Sequence, residues 1–411
     1  MGFAGSEASM EAESSVRARK RQVTAPASAA AYIPDELVRD ILLRLPPASI
    51  LRFRAVCKSW LRLTTCPEFM LEHHRRQPAL PLVSFLRDAG GEPVHAADCC
   101  VEALDLRADG FRSVARFTDA RDRCGSFRVL GSCDGLVLLN FEDRVYVCNP
   151  ATRQWTRLPP PLPSSTLAGF YRHEPTGEYR ALFYRGNWPP YLDYYILVAD
   201  SRKGKGFGLP SEQDVAYKFK ESPGGPPVLF RGSLHWQPKK EGTHGHLILV
   251  FNTVTEVFRA MFPPPVTGTP VPVTREHMPL HEVEDMLAML CCGKDATTVE
   301  LWLMQDYEKM KWVCKHRIGL PAMNVSTFHV NEPWHVCFVS EEGVVLVTQQ
   351  QKLLHYDFKG NLKESFRCDG HQLRITPYTL KESIVQHKFF KIQDNVGDGE
   401  DESPPPFFRG L

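Results

Sequence analysis

Side chains able to make or break bonds are scattered thinly through these 411 residues. Glu72-His73-His74 places three metal-capable groups in a row. Neighbouring histidines on a helix point in different directions, so they rarely share an ion. The triplet reads as a polar helix end beside Arg75-Arg76. His244 and His246 flank a turn glycine, but no further ligand cluster lies near them in sequence. The twelve cysteines include no pair of Cys-x-x-Cys motifs, which argues against structural zinc. Cys99-Cys100 and Cys291-Cys292 sit in apolar surroundings, and reduced, mostly buried thiols are the plain reading. Cys57 has no evident activating neighbour, and a free thiol is only slightly ionised at neutral pH. Asp134-Gly135 and Asp369-Gly370 are turn chemistry rather than catalytic acids. Arg202-Lys203-Gly204-Lys205-Gly206 is basic but lacks the spacing of a phosphate-cradling loop, and no Gly-x-Ser-x-Gly occurs. No catalytic residue, metal or cofactor is expected.

The elements that would position such groups come next. A formal net charge of +1 gives no global pull toward nucleic acid or an anionic membrane. Hydrophobic residues make up 43% and charged residues 24%, an ordinary globular balance. No apolar run of about 20 residues is present, so no membrane-spanning helix is expected. The N-terminus lacks a basic-then-apolar pattern, so a secretory signal is not expected either. The length suits two or three domains, or one large β architecture with a small module.

Residues 1–31 are poor in large apolar side chains and read as a disordered tail, with a basic cluster at Arg17, Arg19, Lys20 and Arg21. Residues 32–77 have helical pattern. Leu37, Ile41, Leu42 and Leu45 recur at helix spacing and are placed on one face. Pro34 suits a first turn, and Pro46-Pro47 stops the helix. Ser49 is a candidate cap for a second helix, a third runs near Val56, Cys57, Trp60 and Leu61, and Pro67-Glu68 opens a fourth. So small a bundle leaves surplus apolar surface, the mark of a protein-binding module.

From about Leu80 the pattern becomes short alternating runs with glycine turns, as in VLGSCDGLVLLN followed by VYVCNPATRQWTRLP. Similar units recur at roughly 40–50 residues, the period of propeller blades. About six fit between 80 and 370, those at 80–118 and 166–212 being least regular. Residues from Ile375 to Lys391 could supply a closing strand or pack outside. Trp155, Trp236, Trp302 and Trp312 recur near blade strands and read as inter-blade core. Residues 394–411 are acidic, proline-rich and read as a disordered tail.

Two resemblances carry the function. Ile33-Pro34-Asp35-Glu36-Leu37, then Ile41-Leu42-Leu43-Arg44-Leu45-Pro46, Leu51, and Arg54-Ala55-Val56-Cys57-Lys58-Ser59-Trp60 resemble the F-box in order and spacing, trailed by Cys66-Pro67-Glu68-Phe69. The usual opening Leu-Pro stands here as Ile-Pro. The remainder, to about residue 390, resembles the plant-type F-box-associated domain, a kelch-like β-propeller family. The carrying residues are Gly135-Leu136-Val137, Asn149-Pro150-Ala151-Thr152-Arg153-Gln154-Trp155, Glu178-Tyr179-Arg180, Gly232-Ser233-Leu234-His235-Trp236 and Val299-Glu300-Leu301-Trp302. The implied fold is a small all-α F-box module (32–77) followed by an all-β, six-bladed kelch-like propeller (80–390).

The resemblance implies an F-box that docks on a Skp adaptor and through it on a cullin scaffold, with the β domain recruiting a target protein for ubiquitination. Pro34, Leu37, Ile41, Leu42, Leu45, Pro46, Leu51, Val56, Cys57 and Trp60 would form the F-box core and its adaptor-facing surface, the division between the two being open. The target-binding residues are unknown. Neither nucleic acid nor membrane is an expected partner, and the expected location is intracellular, in nucleus, cytoplasm or both. Two other classes compete: a propeller enzyme or sugar-binding protein with an incidental helical leader, and an F-box scaffold acting outside a ligase. Fold alone does not choose among them.

Overall fold

The computed structural model describes residues 33–87, 97–106, 110–119, 127–141, 144–187, 191–199, 207–208, 225–238, 247–265, 280–292, 298–320, 334–339, 342–348, 352–367 and 371–390. The basic cluster at 17–21, the run 202–206, His244, His246, Asp369-Gly370 and both terminal tails lie outside these residues. The chain divides into two compact units, residues 1–42 and residues 43–411.

The first unit contributes α1 (Asp35–Leu42). Asp35 and Glu36 occupy its first turn and complement the positive helix end. The second unit opens with α2 (Pro47–Phe53), α3 (Lys58–Thr65) and α4 (Pro67–Arg76). Ser49 does not cap α2. Pro46 stands at the N-cap in extended conformation and Pro47 begins the helix, so proline geometry starts it without a side-chain cap. Cys57 does cap α3, its Sγ accepting from the Trp60 amide at 3.5 Å.

The rest of the second unit is β-structure in six four-stranded antiparallel sheets. β1 (Ala79–Arg87), β2 (Ala97–Asp105) and β3 (Gly110–Asp119) belong to the first sheet. β4 (Arg128–Cys133), β5 (Leu136–Phe141), β6 (Arg144–Asn149) and β7 (Gln154–Arg157) form the second. β8 (Ser165–His173), β9 (Glu178–Asn187), β10 (Tyr191–Val198) and β11 (Phe207–Gly208) form the third. β12 (Val228–Phe230), β13 (Ser233–Trp236), β14 (Ile248–Asn252) and β15 (Val257–Met261) form the fourth. β16 (Leu280–Val283), β17 (Met286–Cys292), β18 (Thr298–Asp306) and β19 (Lys311–Gly319) form the fifth. β20 (Trp334–Val339), β21 (Gly343–Thr348), β22 (Lys352–Asp357) and β23 (Leu362–Arg367) form the sixth. The last strand, β24 (His371–Lys381), returns to the first sheet and pairs with β1, giving the order β24-β1-β2-β3. Ala79 stands opposite Lys381 in that pairing.

This is a six-bladed propeller closed by its own C-terminal strand. β24, β4, β8, β12, β16 and β20 are the innermost strands, and they wall a central channel of about 730 Å³. The core is not one cluster but six, one at each blade-to-blade junction. Strand alternation divides the side chains between junctions. In β14, Ile248 and Val250 face the fifth blade, while Leu249 and Phe251 face the third. Middle strands such as β5 and β14 are covered on both sides and so read as apolar runs. The outermost β19 alternates exposed and buried positions instead. Trp236 is fully buried between the third and fourth blades, its Nε1 donating to the Ala168 carbonyl at 3.1 Å. Trp302 and Trp312 lie between the fourth and fifth, and half-buried Trp155 packs between the first and second.

One charged tie crosses the third junction. The Arg180 guanidinium is buried, with Glu178 at 2.6 Å and Glu256 at 2.7 Å. The Tyr171 hydroxyl donates to the same Glu256 oxygen at 2.7 Å. Both carboxylates are needed to compensate so buried a charge.

The tight turns gather at one rim. Asp134 (φ 50°) and Gly135 (φ 81°) make the two-residue turn between β4 and β5. A side chain at Gly135 would put its Cβ 2.3 Å from that of Ser383, so the position is doubly restricted to glycine.

Candidate protein-docking site

α1 carries two apolar stripes. Val38 and Leu42, four residues apart, are buried. Leu37 and Ile41, also four apart, are 54% and 52% exposed, and Ile33 just ahead of the helix is 51% exposed. The reading that Leu37, Ile41 and Leu42 share a face is therefore corrected. Leu42 sits about 140° around the helix from Leu37 at 3.6 residues per turn. Leu45 lies beyond the helix end and is half-buried.

In the second unit, Leu43, Ile50 and Phe69 are almost wholly buried, with Met70 beside them in burial. Val56 is 59% exposed; Pro46, Cys57, Leu61 and Leu71 are also exposed. Leu51 is half-buried. Trp60 is half-buried, its ring edge-on to Phe53 at 5.5 Å. Arg54 ties α2 to α3 by donating to the Thr64 carbonyl at 3.0 Å. Of the ten residues named from the motif, Leu42 alone is buried. Pro34, Leu37, Ile41, Pro46, Val56 and Cys57 point outward, and Leu45, Leu51 and Trp60 are intermediate. Ile33, Leu61 and Leu71 are outward apolar residues not singled out by the motif, although surplus apolar content on short helices was the available signal.

Six of the twelve large apolar side chains exposed among the described residues fall between 33 and 71. Covering each one would be worth roughly 1.5–3 kcal/mol, so the three in each unit mark surfaces built to be covered.

His73 is not a polar helix end. It is buried, and its Nε2 lies 2.8 Å from the Leu45 carbonyl, to which it donates. Burial lowers its pKa, and the ring stacks on Phe69. The histidine is an internal strut between α4 and the segment before α2.

α4 is tied in turn to the propeller. His74 Nδ1 donates to the Glu382 carbonyl at 3.0 Å. Residues 382–390, after β24, run beneath the second and third blades. Asn149 Nδ2 donates to the Ser383 carbonyl at 3.0 Å, and Ser383 and Ile384 are fully buried. His387 sits edge-on to Tyr179, and Phe389 and Phe390 join the junction between those blades. The strap ties α4 to the ring. Arg112 pairs with both Asp105 and Glu382 and secures its start.

Several imidazoles are held neutral by the fold. Burial pushes His235, His281 and His387 down to about 4. Each then resists protonation that the unfolded chain accepts near pH 6.5. Stability is fully present above pH 6.5 and is lost as pH falls toward 4, by about 1.4 kcal/mol per pH unit for each such group. A melting temperature that drops steeply between pH 6.5 and 4.5 is expected by calorimetry; a flat profile would mean these rings are solvated.

Helices α2–α4, with outward apolar side chains and α4 hydrogen-bonded to the strap of a closed propeller, make up one unit, and α1 with its outward stripe belongs to the other. Among the described residues, no group of three or more His, Cys, Asp or Glu is placed to hold a metal ion. Family comparison gives the class. An F-box domain model matches residues 32–71, and an F-box associated beta propeller domain model matches residues 115–376. The chain belongs to the F-box-associated β-propeller family and carries an F-box. Its relatives include the F-box protein CPR1 of Arabidopsis thaliana, 27% identical over 82% of this chain and 84% of that one. Two more from Arabidopsis thaliana are the F-box protein At3g07870, 30% identical over 76% and 79%, and the F-box/kelch-repeat protein At2g43445, 27% identical over 87% and 86%. Among solved structures, a manganese-bound oligogalacturonate lyase aligns over 71% of this chain and 86% of its own at a TM-score of 0.37 and 11% identity, too distant to bear on function.

Proposed function

We propose that the protein is the substrate receptor of a Skp–cullin–F-box ubiquitin ligase. The exposed aliphatic side chains of the F-box helices are the observation that carries this reading, since they need a partner and the family's partner is a Skp adaptor. The propeller then recruits a target. The protein makes no bond itself. It raises the concentration of the target beside a ubiquitin-loaded enzyme, an effective-concentration effect. The strap at 382–390 supports the reading, because a fixed seat for α4 gives a recruited target a defined position. We place the protein inside the cell, in nucleus, cytoplasm or both. Cys57, Cys66, Cys133, Cys148 and Cys314 are free thiols, which fits a reducing compartment.

The test is co-purification of the Skp adaptor and cullin with the full chain and with a form lacking residues 32–77. Both partners are expected with the full chain and neither with the shortened one. Equal adaptor recovery from the two forms would sink the reading; adaptor without cullin would indicate a scaffold outside a ligase.

A further inference from the structure

The chain that passes from β7 to β8 reads Arg157-Leu158-Pro159-Pro160-Pro161-Leu162-Pro163. The ring of a proline holds φ at about −65°. Leu158, Pro159, Pro160 and Leu162 each precede a proline, which drives their ψ to extended values. Pro159 and Pro160 thereby meet both conditions of the polyproline II helix, which turns once in about three residues.

Exposure along the segment follows that period. Arg157, Pro160 and Pro163, spaced three apart, are all exposed. Leu158 is 2% exposed, and Pro161, three residues on, is half-buried. On the remaining edge Pro159 is half-buried and Leu162 is 48% exposed. One edge of the helix is thus turned into the propeller, and the edge carrying Arg157, Pro160 and Pro163 is turned out.

The backbone is divided in the same way. Leu158 and Leu162 carry the segment's N–H groups, since the prolines have none. Both are spent on the ring: Leu158 donates to the Val145 carbonyl at 2.8 Å, and Leu162 to the Tyr195 hydroxyl at 2.9 Å. A turn through Pro163 and Ser164 (φ 59°), closed from the Ser165 amide to the Leu162 carbonyl at 3.2 Å, ends the helix. Among the described residues, nothing donates to the carbonyls of Pro159, Pro160 and Pro161. Arg157 likewise forms no ion pair among the described residues. The segment lies at the far face of the ring. β4 ends at the Asp134-Gly135 turn beside the strap, and in the antiparallel sheet β4-β5-β6-β7 the end of β7 is at the opposite face. A partner there clears the strap and α4.

A polyproline II helix held in advance loses little entropy on binding, and proteins read one through grooves lined with aromatic side chains. Such a groove takes two prolines three apart, as Pro160 and Pro163 are, and its donors meet free carbonyls. Arg157, one turn ahead of Pro160, calls for a carboxylate at the end of the groove. We propose that Arg157–Pro163, displayed between the second and third blades, docks a protein domain whose groove is lined with aromatic side chains and ends in a carboxylate. The proposal does not depend on the substrate-receptor reading.

The test titrates one probe, an isolated SH3 domain selected for Arg-x-x-Pro-x-x-Pro ligands, into the full chain by calorimetry. The free peptide Thr156–Ser164 is the reference. The full chain is expected to bind the probe at least as tightly as the peptide, because a helix pinned at both ends has less freedom to lose. Pro160→Ala with Pro163→Ala is expected to weaken binding about tenfold, with the melting temperature within a few degrees of the parent. Arg157→Glu is expected to weaken binding about tenfold and to reverse its salt dependence. Should the double proline variant melt early, Arg157→Glu decides. Weaker binding by the full chain than by the free peptide would overturn the proposal. So would undiminished binding in Arg157→Glu or in a folded double proline variant, the latter pointing to another proline-rich stretch such as 263–265. Adaptor co-purification is expected to be unchanged in every variant, so recovery of the adaptor bears on the substrate-receptor reading alone.

Discussion

Recoding the outward stripe of α1 as Leu37→Glu with Ile41→Lys is expected to abolish capture of the Skp adaptor and leave the fold intact. The two positions are four residues apart and half exposed. Glutamate four residues ahead of lysine forms a favourable pair along a helix, so α1 gains a few tenths of a kcal/mol rather than losing helicity. Each side chain forfeits roughly 1.5–3 kcal/mol of apolar burial in the complex. Placing charges in a desolvated interface adds to that loss, as at other buried interfacial positions. Together the change exceeds about 4 kcal/mol, or roughly a thousandfold in affinity. The measurement is adaptor affinity by calorimetry beside a thermal melt. Leu42→Glu is the contrast: that residue is 1% exposed, and its substitution is expected to lower the melting temperature instead. Retention of tight adaptor binding by the double variant would mean that another surface makes the contact.

Ending the chain after residue 370 is expected to leave no cooperatively folded propeller. β24 is the innermost strand of the first blade and pairs along β1 from Ala79–Lys381 to Arg87–His371. Leu380 fills the junction with the second blade and Leu373 that with the sixth. Removing the strand opens two of the six junctions, bares the edge of β1 and deletes the strap under α4. An unpaired edge of that length invites association between chains. The forfeited burial is comparable to the whole stability of a typical domain, about 5–15 kcal/mol. Ending instead after residue 390 keeps β24, the strap, Phe389 and Phe390, and is expected to melt like the full chain. Circular dichroism melts of the two shortened forms decide the matter. A form ending at 370 that melts within a few degrees of the full chain would show that the ring does not depend on its closing strand.

Much of this was legible in the residues, and the gaps have physical reasons. The order Ile33-Pro34 to Trp60 marks the F-box, and runs such as ILVFN and MLAMLCC mark strands covered on both sides. The six-bladed propeller followed from the spacing of those runs. Periodicity could not say which stripe of α1 faces inward, because Leu37 and Leu42 are the same residue type on one short helix. His73 looked polar by type; its partner, the Leu45 carbonyl, is distant in sequence and depends on how α4 is seated. The pairing of β24 with β1 joins opposite ends of the β domain, which no local pattern reports. Arg180 and Glu256 come from separate stretches of chain, so only the assembled junction brings them together.

The split first blade has a further consequence in the order of synthesis. The F-box helices leave the ribosome before the strand that completes the ring. Until β24 and the strap arrive, α4 has no seat and the channel has no complete wall. A nascent chain can thus display its apolar helices without a finished propeller behind them. Closure by β24 makes the geometry of the ring and of α4 conditional on translation passing residue 390.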